Sequence, residues 1–225
     1  MADNRYMMHY ETVIYQLLQK LLGNSRPYDL ESVLPMLSDR LAKKSINLND
    51  DGIRRVLKSL VEKGKIVQGS TMTRNEILMN ENRNRIYEFI KMNPGAYFYR
   101  IVRELQLSNH IVTWHLNMLI KFTFVQFEYI GRNKVYFVEG AYFREAEFGY
   151  YVNHQKCRKI IQCLLANPDG LNKTSIADEI DVHYNTVTKY LKKLKKIRIV
   201  SEEIGRGQQL YKVPEEQTSL LLQNL

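Results

Sequence analysis

An internal repeat constrains this chain more than any other feature. The segment from Ile86 to Tyr136 aligns with that from Ile160 to Tyr211 at an offset that stays at 74 or 75 residues. Asn93-Pro94 falls on Asn167-Pro168, Ile101 on Ile176, Glu104 on Glu179, and Leu105 on Ile180. Val112, Leu116 and Leu119 fall on Val187, Leu191 and Leu194, Gly131-Arg132 on Gly205-Arg206, and Tyr136 on Tyr211. Matches that include both a helical apolar stripe and a Gly-Arg turn call for the same supersecondary unit twice. A fainter copy lies upstream, where Leu57, Leu60 and Ile66 precede Leu116, Leu119 and Val125 by 59 residues. At 225 residues the chain has room for three such units.

The last copy displays its parts most clearly. Thr174 to Ile180, TSIADEI, reads as a short helix, and Asp181 to Tyr184 as a turn. Tyr184 to Lys196, YNTVTKYLKKLKK, reads as a second helix, with Val187, Leu191 and Leu194 at helical spacing toward a core. Ile199 to Val213 holds two apolar runs around Gly205-Arg206-Gly207, a hairpin signal. Helix, turn, basic helix and hairpin together spell a winged helix-turn-helix, a unit that lays its second helix in the DNA major groove. The expected fold is therefore mainly α with small β-hairpin wings, as three tandem winged-helix domains.

The boundaries follow from the copies. Residues 1–75 read as a winged-helix-like domain with a truncated wing, since Gly69-Ser70 leads quickly into the next helix. Its helices are expected at Tyr10 to Leu22, Leu30 to Lys43 and Asp50 to Lys63. Asn49 is placed as an N-cap and Gly64 as a C-cap, and Pro35 marks a first turn or a kink. Residues 76–140 read as a winged-helix domain with helices at Arg83 to Met92, Tyr99 to Leu105 and Asn109 to Phe122, the last capped by Ser108. Its strands are expected at Phe124 to Tyr129 and Lys134 to Val138. Residues 141–225 read as a winged-helix domain opened by a long aromatic helix, with Tyr142, Phe143, Phe148, Tyr150 and Tyr151 ahead of a Cys157, Ile160, Ile161, Leu164 stripe. Core and inter-domain packing accounts for most of that stretch; a homodimer seam is the sharper alternative.

The run NRNRIYEFIKMNPG, RIVRELQLSNHIVTWHLNMLIKF and GRNKVYF resembles the archaeal tandem winged helix-turn-helix (MarR/ArsR-like) transcriptional regulators. The resemblance extends from Glu76 to Val213 and departs from the family pattern at Asn109-His110, where a small residue is common. It implies the winged-helix fold, and double-stranded DNA as partner.

Aligning the three copies picks out the residues that would face a groove. In the third copy they are Asn185, Thr188, Lys189, Lys192, Lys193 and Lys196, and no acidic residue lies between His183 and Val200. Asn can pair with an adenine edge, Thr can touch a thymine methyl, and Lys binds phosphate or guanine. In the second copy they are His110, Thr113, Trp114 and Asn117, followed by Lys121; in the first, Asp51, Arg54, Arg55, Lys58 and Glu62. Arg132, Lys134 and Arg206 sit at wing tips, where backbone or minor groove is in reach. The third helix is the best equipped of the three. A lysine face is otherwise an ordinary solvated face, but such faces usually alternate charge sign and this one does not. Trp114, at the position matching Lys189, is expected to be largely buried against another domain or subunit, and His115 to be a satisfied core histidine.

The net charge of +9 favours a polyanionic partner. Cys157 and Cys163, six apart on one helix, suggest neither a disulfide nor a metal site. The five histidines form no ligand spacing, and there is no Gly-rich phosphate loop or nucleophile elbow. No catalytic residue, metal or cofactor is expected. The opening MADNRYMMHY has no signal-peptide core and no apolar run reaches the length of a membrane span, so a cytoplasmic protein is expected. Two readings of function stand: a DNA-binding transcriptional regulator acting mainly through its third domain, and a scaffold whose tandem winged helices bind other winged-helix or complex subunits, as in ESCRT-II-type assemblies.

Overall fold

The computed structural model describes residues 2–22, 28–205 and 207–224. It is mainly helical with small antiparallel strand pairs. The helices are α1 (Ala2–Leu22), α2 (Leu30–Lys43), α3 (Asp50–Glu62), α4 (Arg74–Ile77), α5 (Glu81–Met92), α6 (Phe98–Leu105), α7 (Asn109–Lys121), α8 (Phe143–Asn153), α9 (Gln155–Ala166), α10 (Lys173–Glu179), α11 (Tyr184–Lys196) and α12 (Glu215–Asn224). The strands are β1 (Ala96–Tyr97), β2 (Val125–Ile130), β3 (Asn133–Val138), β4 (Ser201–Gly205) and β5 (Gln208–Lys212). They form a three-stranded sheet, β1-β3-β2, and a two-stranded hairpin, β4-β5.

The sequence repeat reappears as a repeat of backbone. α7 and α11 begin and end 75 residues apart, and α5 and α9 begin and end 74 apart. Ala96 pairs with Tyr136, and 75 residues on Leu171 pairs with Tyr211. Left-handed backbone recurs in the same register, at Gln106 and Asp181 in the turns before α7 and α11, and at Thr123 and Arg198 just after those helices. Short polar side chains start the helices. Asn49 Oδ1 accepts from the Gly52 amide at 2.9 Å, Ser108 Oγ from Ile111 at 3.3 Å, and Asn172 Oδ1 from Ser175 at 2.9 Å. Each satisfies an amide that the helix itself leaves unpaired.

The chain divides into two compact units, one of Met1–Met92 with Tyr99–Gln126, the other of Asn93–Phe98 with Phe127–Leu225. In the first unit α1, α2 and α3 enclose a core of Ile14, Leu18, Leu37, Ile53, Leu57 and Leu60, all fully buried. Glu11 on α1 is buried there and accepts from Lys63 Nζ at 2.6 Å and Ser59 Oγ at 2.6 Å, tying α1 to the end of α3. In the second unit the core joins Ile130 and Val135 of the sheet to Tyr150, Cys157, Ile160, Ile161, Val187, Leu191 and Leu194. The stripe on α11 that the sequence assigned to a core is fully in it.

Four features depart from expectation. α1 starts at Ala2, not Tyr10; nothing in the opening ten residues is a helix breaker. The aromatic stretch is two helices, not one. His154 adopts extended backbone, with ψ of 119°, between α8 and α9, while Asn153 turns its side chain back to the Gly149 carbonyl at 2.9 Å. α12 was not foreseen; it follows Pro214 and buries Leu221 while leaving Leu222 exposed. β1 was also missed, because two residues carry no periodicity. No described helix is long and apolar enough to cross a membrane.

Candidate nucleic-acid interface

α11 is held by its apolar stripe and by both its ends. His183 caps the N-terminus, its Nδ1 accepting from the Asn185 amide at 3.2 Å. Near the C-terminal end, Lys195 forms an ion pair with Glu202 on β4. That contact takes Glu202 out of play as a repulsive charge on the wing. Glu203 is likewise paired, with Lys212.

The outward side chains divide into two groups. Asn185, Lys189, Lys192 and Lys196 are exposed and succeed one another at spacings of four, three and four, so they line one face. Thr188 and Lys193 are drawn inward. The Thr188 hydroxyl oxygen is shielded from solvent and has no hydrogen-bond partner among the described residues. Lys193 Nζ lies 5.4 Å from the Tyr190 ring centroid and 5.8 Å from that of Tyr151. A cation held over two ring faces is a poor candidate for reaching outward. Arg206 lies outside the described residues.

The equivalent surfaces of the other copies are chemically different. On α7, His110, Thr113 and Asn117 are exposed, with Lys121 following at its end. On the β2-β3 hairpin Arg132 is exposed, while Lys134 Nζ sits 4.2 Å from the Phe127 ring centroid. On α3, Arg54 is held by Glu31 of α2 through a two-point contact, Nη1 to Oε1 at 2.8 Å and Nη2 to Oε2 at 3.2 Å. The acid needed to neutralise that arginine comes from the neighbouring helix, which the alignment of recognition helices alone did not reveal.

Trp114 corrects an expectation. Its side chain is 49% exposed on this chain, not buried. The ring lies over the guanidinium of Arg83, with Cζ 5.2 Å from the centroid, and packs edge-on to His115 at 4.8 Å. It covers a buried cation instead of filling a core. His115 is buried as expected, but its Nδ1 finds no partner among the described residues. Burial, and then the Arg83 charge, holds its pKa below the usual histidine value.

A second histidine bears on α11 directly. His154 Nε2 is 3.4 Å from the Tyr190 hydroxyl, and the two rings pack with centroids 4.9 Å apart, tilted by 36°. Burial, followed by the charges of Lys193, Lys156 and Lys189, holds its pKa below the usual value. A base whose pKa is depressed on folding binds fewer protons folded than unfolded near its unfolded value of about 6.5. Its contribution to stability is therefore full above that value and is lost as pH falls through and below it. Thermal unfolding followed by circular dichroism should show a lower Tm at pH 5 than at pH 7, and His154→Phe, which keeps the ring contact, should reduce that difference. An undiminished difference in the variant would remove His154 as a source.

Cys157 and Cys163 are free and buried, and burial pushes both thiols up to about 12. No group of three or more His, Cys, Asp or Glu side chains suited to a metal occurs among the described residues.

A helix, a tight turn, a second helix with an exposed polar face and a hairpin at its end together make a helix-turn-helix unit with a small wing. No family model matches the chain. A curated archaeal relative, the uncharacterized HTH-type transcriptional regulator MJ1398 of Methanocaldococcus jannaschii, is 27% identical over 195 residues, which is 86% of this chain and 49% of the relative. The chain thus spans about half the length of the curated relative it matches. Among solved structures, the DIP2311 protein of Corynebacterium diphtheriae aligns over 80% of this chain and 39% of its own, at 12% identity and a TM-score of 0.24, too slight a likeness to carry an argument.

Proposed function

We propose that this chain is a DNA-binding transcriptional regulator of the archaeal tandem winged helix-turn-helix (MarR/ArsR-like) kind. It has three such domains, at 1–75, 76–140 and 141–225, and α11 of the third reads the major groove of double-stranded DNA. The observation that carries this reading is the exposed face of Asn185, Lys189, Lys192 and Lys196, on a helix between His183 and Val200 that holds no acid. A helix face of one sign, rigidly seated in a core, is suited to phosphates at its cations and to a base edge at its amide. The relative described as an HTH-type transcriptional regulator supports the same class of function. Arg132, on the β2-β3 wing, would add a backbone contact, and so would Arg206, which lies between β4 and β5 in the sequence. His110, Thr113 and Asn117 would take a minor part. The protein acts in the cytoplasm without catalysis or cofactor, and a homodimer would present two such helices.

The scaffold reading is favoured by one observation: the cations of α3 are largely spoken for, with Arg54 bound to Glu31, and α7 is nearly uncharged. On that reading the first two domains hold other winged-helix or complex subunits. It predicts no sequence preference in DNA.

Selection of the protein's preferred duplex from a random library separates the two. The regulator reading expects an enriched sequence, and Asn185→Ala should then cost roughly 1–3 kcal/mol at one base pair while leaving the salt dependence unchanged. Absence of any enriched sequence would favour the scaffold.

A further inference from the structure

In the second unit, α8, the end of α11 and α12 surround an open cavity of about 700 Å³. Five charged side chains line it: Arg144, Glu145 and Glu147 on α8, Lys196 at the end of α11, and Arg198 just past it. Phe148, Ile197 and Leu220 supply its apolar wall, and Gln217 adds a side-chain amide. Leu220 is 45% exposed there, while Leu221 beside it is fully buried. Pro94 and Gly149 also line the cavity, and they touch backbone to backbone, which leaves this wall little freedom to collapse.

None of the five charged side chains forms an ion pair among the described residues. Elsewhere in the same unit opposite charges do pair: Lys195, next to Lys196, is bound to Glu202, and Lys212 to Glu203. Arg144 and Glu147 are three apart on α8, a spacing at which helical neighbours can meet, yet they stay apart. Charges of both signs thus face one space without meeting across it. A ligand with an anionic group alone would be opposed there by two carboxylates, and one with a cationic group alone by three cations. A ligand carrying both signs can satisfy both sets.

We infer that this cavity binds a short apolar peptide as a zwitterion, its ammonium paired with Glu145 and Glu147, its carboxylate with Arg144 and Arg198, and its side chains against Phe148, Ile197 and Leu220. A guanidinium fork meets a carboxylate at two points. The acids and cations of the cavity lie beyond ion-pair distance of one another, so the two charges of the ligand need a spacer. A peptide group supplies that spacer, and the amide of Gln217 can both donate to it and accept from it. The volume falls within the roughly 300–1,000 Å³ of small-molecule sites. Lys196 also belongs to the row proposed to face DNA, but binding is measured without DNA, so the two readings stand or fall separately.

The full chain is titrated by calorimetry at about pH 7, where both ends of a free peptide are charged. The probes are Leu-Leu, N-acetyl-Leu-Leu, which keeps only the carboxylate, and Leu-Leu amide, which keeps only the ammonium. Leu-Leu should bind saturably, at least about tenfold tighter than either derivative. Arg144→Gln combined with Arg198→Gln should weaken Leu-Leu by about tenfold or more without weakening the amide. Glu145→Gln combined with Glu147→Gln should weaken Leu-Leu as much without weakening the acetyl derivative. All four side chains are exposed or half-buried, so both double variants should fold. No saturable heat with Leu-Leu, a derivative that binds as tightly as Leu-Leu, or a Leu-Leu affinity untouched by either double variant would overturn the proposal.

Discussion

Replacing Lys189, Lys192 and Lys196 together with alanine should flatten the salt dependence of duplex binding by nearly three units. Each phosphate neutralised by a cation releases condensed counterion, and the logarithm of affinity then falls with the logarithm of salt by about 0.9 per contact. Three lysines on one exposed face offer three such contacts, so the slope should change by up to about 2.7. Fold stability should survive, because Val187, Leu191 and Leu194 on the opposite face stay fully buried and the three lysines are exposed, with Lys189 Nζ lying 5.9 Å from the Tyr190 ring centroid. Lys193 makes the internal control. It belongs to the same lysine-rich helix, but its ammonium lies over Tyr151 and Tyr190, so Lys193→Ala should change stability more than salt slope. Fluorescence anisotropy with a labelled duplex, at about 50 to 200 mM salt, measures both slopes. A triple variant that keeps the parent's slope would mean that phosphates are met elsewhere.

Gly95→Ala should have the largest effect on stability of any single methyl added to the second unit. Gly95 has a φ of +85°, in the left-handed region, and its amide donates to the Tyr136 carbonyl at 2.9 Å. A Cβ there would stand 2.0 Å from the Ala146 carbonyl oxygen and 2.6 Å from the Tyr150 nitrogen. Both are backbone atoms of α8 and neither can swing aside. From the other side, a Cβ on Gly149 would stand 2.1 Å from the Pro94 carbonyl oxygen. The Asn93-Pro94-Gly95 turn and α8 therefore touch backbone to backbone. Separating them would disturb Tyr150, whose hydroxyl accepts from the Asn133 side chain at 2.8 Å. Overpacking and left-handed strain together should cost about 3 kcal/mol or more. Gly131→Ala is the comparison, since its φ is also positive, at +64°, but a Cβ there meets nothing within 4 Å. It should cost only the conformational term of about 1–2 kcal/mol. Scanning calorimetry of the two variants against the parent gives the difference. Equal losses would mean that the close approach is not what Gly95 is there for.

These effects show where the sequence spoke plainly and where it could not. The 75-residue register was legible because it rests on residues with strong local meaning: stripes at helical spacing, Asn-Pro, and Gly-Arg. It carried further than the matches that revealed it, down to the left-handed positions Gln106 and Asp181, neither of which is glycine. The inward stripe of α11 was legible for the same reason. Three things were not. The break at His154 has no glycine or proline beside it to announce it; its ring contacts those of Tyr150 and Tyr190, the latter far along the chain. The inward turn of Lys193 depends on Tyr151 and Tyr190, the former more than thirty residues away in the chain, so helical phase alone leaves it looking outward, and Thr188 is shielded though the same phase turns it out. Trp114 seemed destined for burial because a large ring on a surface is costly; its partner, Arg83, is buried on another helix, and no spacing links the two.

The central claim is that α11 lies in the major groove, and a chemical tether tests it most directly. Cys157 and Cys163 are buried with thiols pushed up to about 12, so a cysteine introduced at exposed Asn185 would be the one that labels. Iron-EDTA attached through Asn185→Cys, on protein bound to its selected duplex, should cleave both strands at positions facing each other across the major groove. The same reagent at Thr113→Cys on α7 should cut more weakly. Cleavage from Asn185→Cys that rises no higher than with free reagent, while the protein remains bound, would contradict the account.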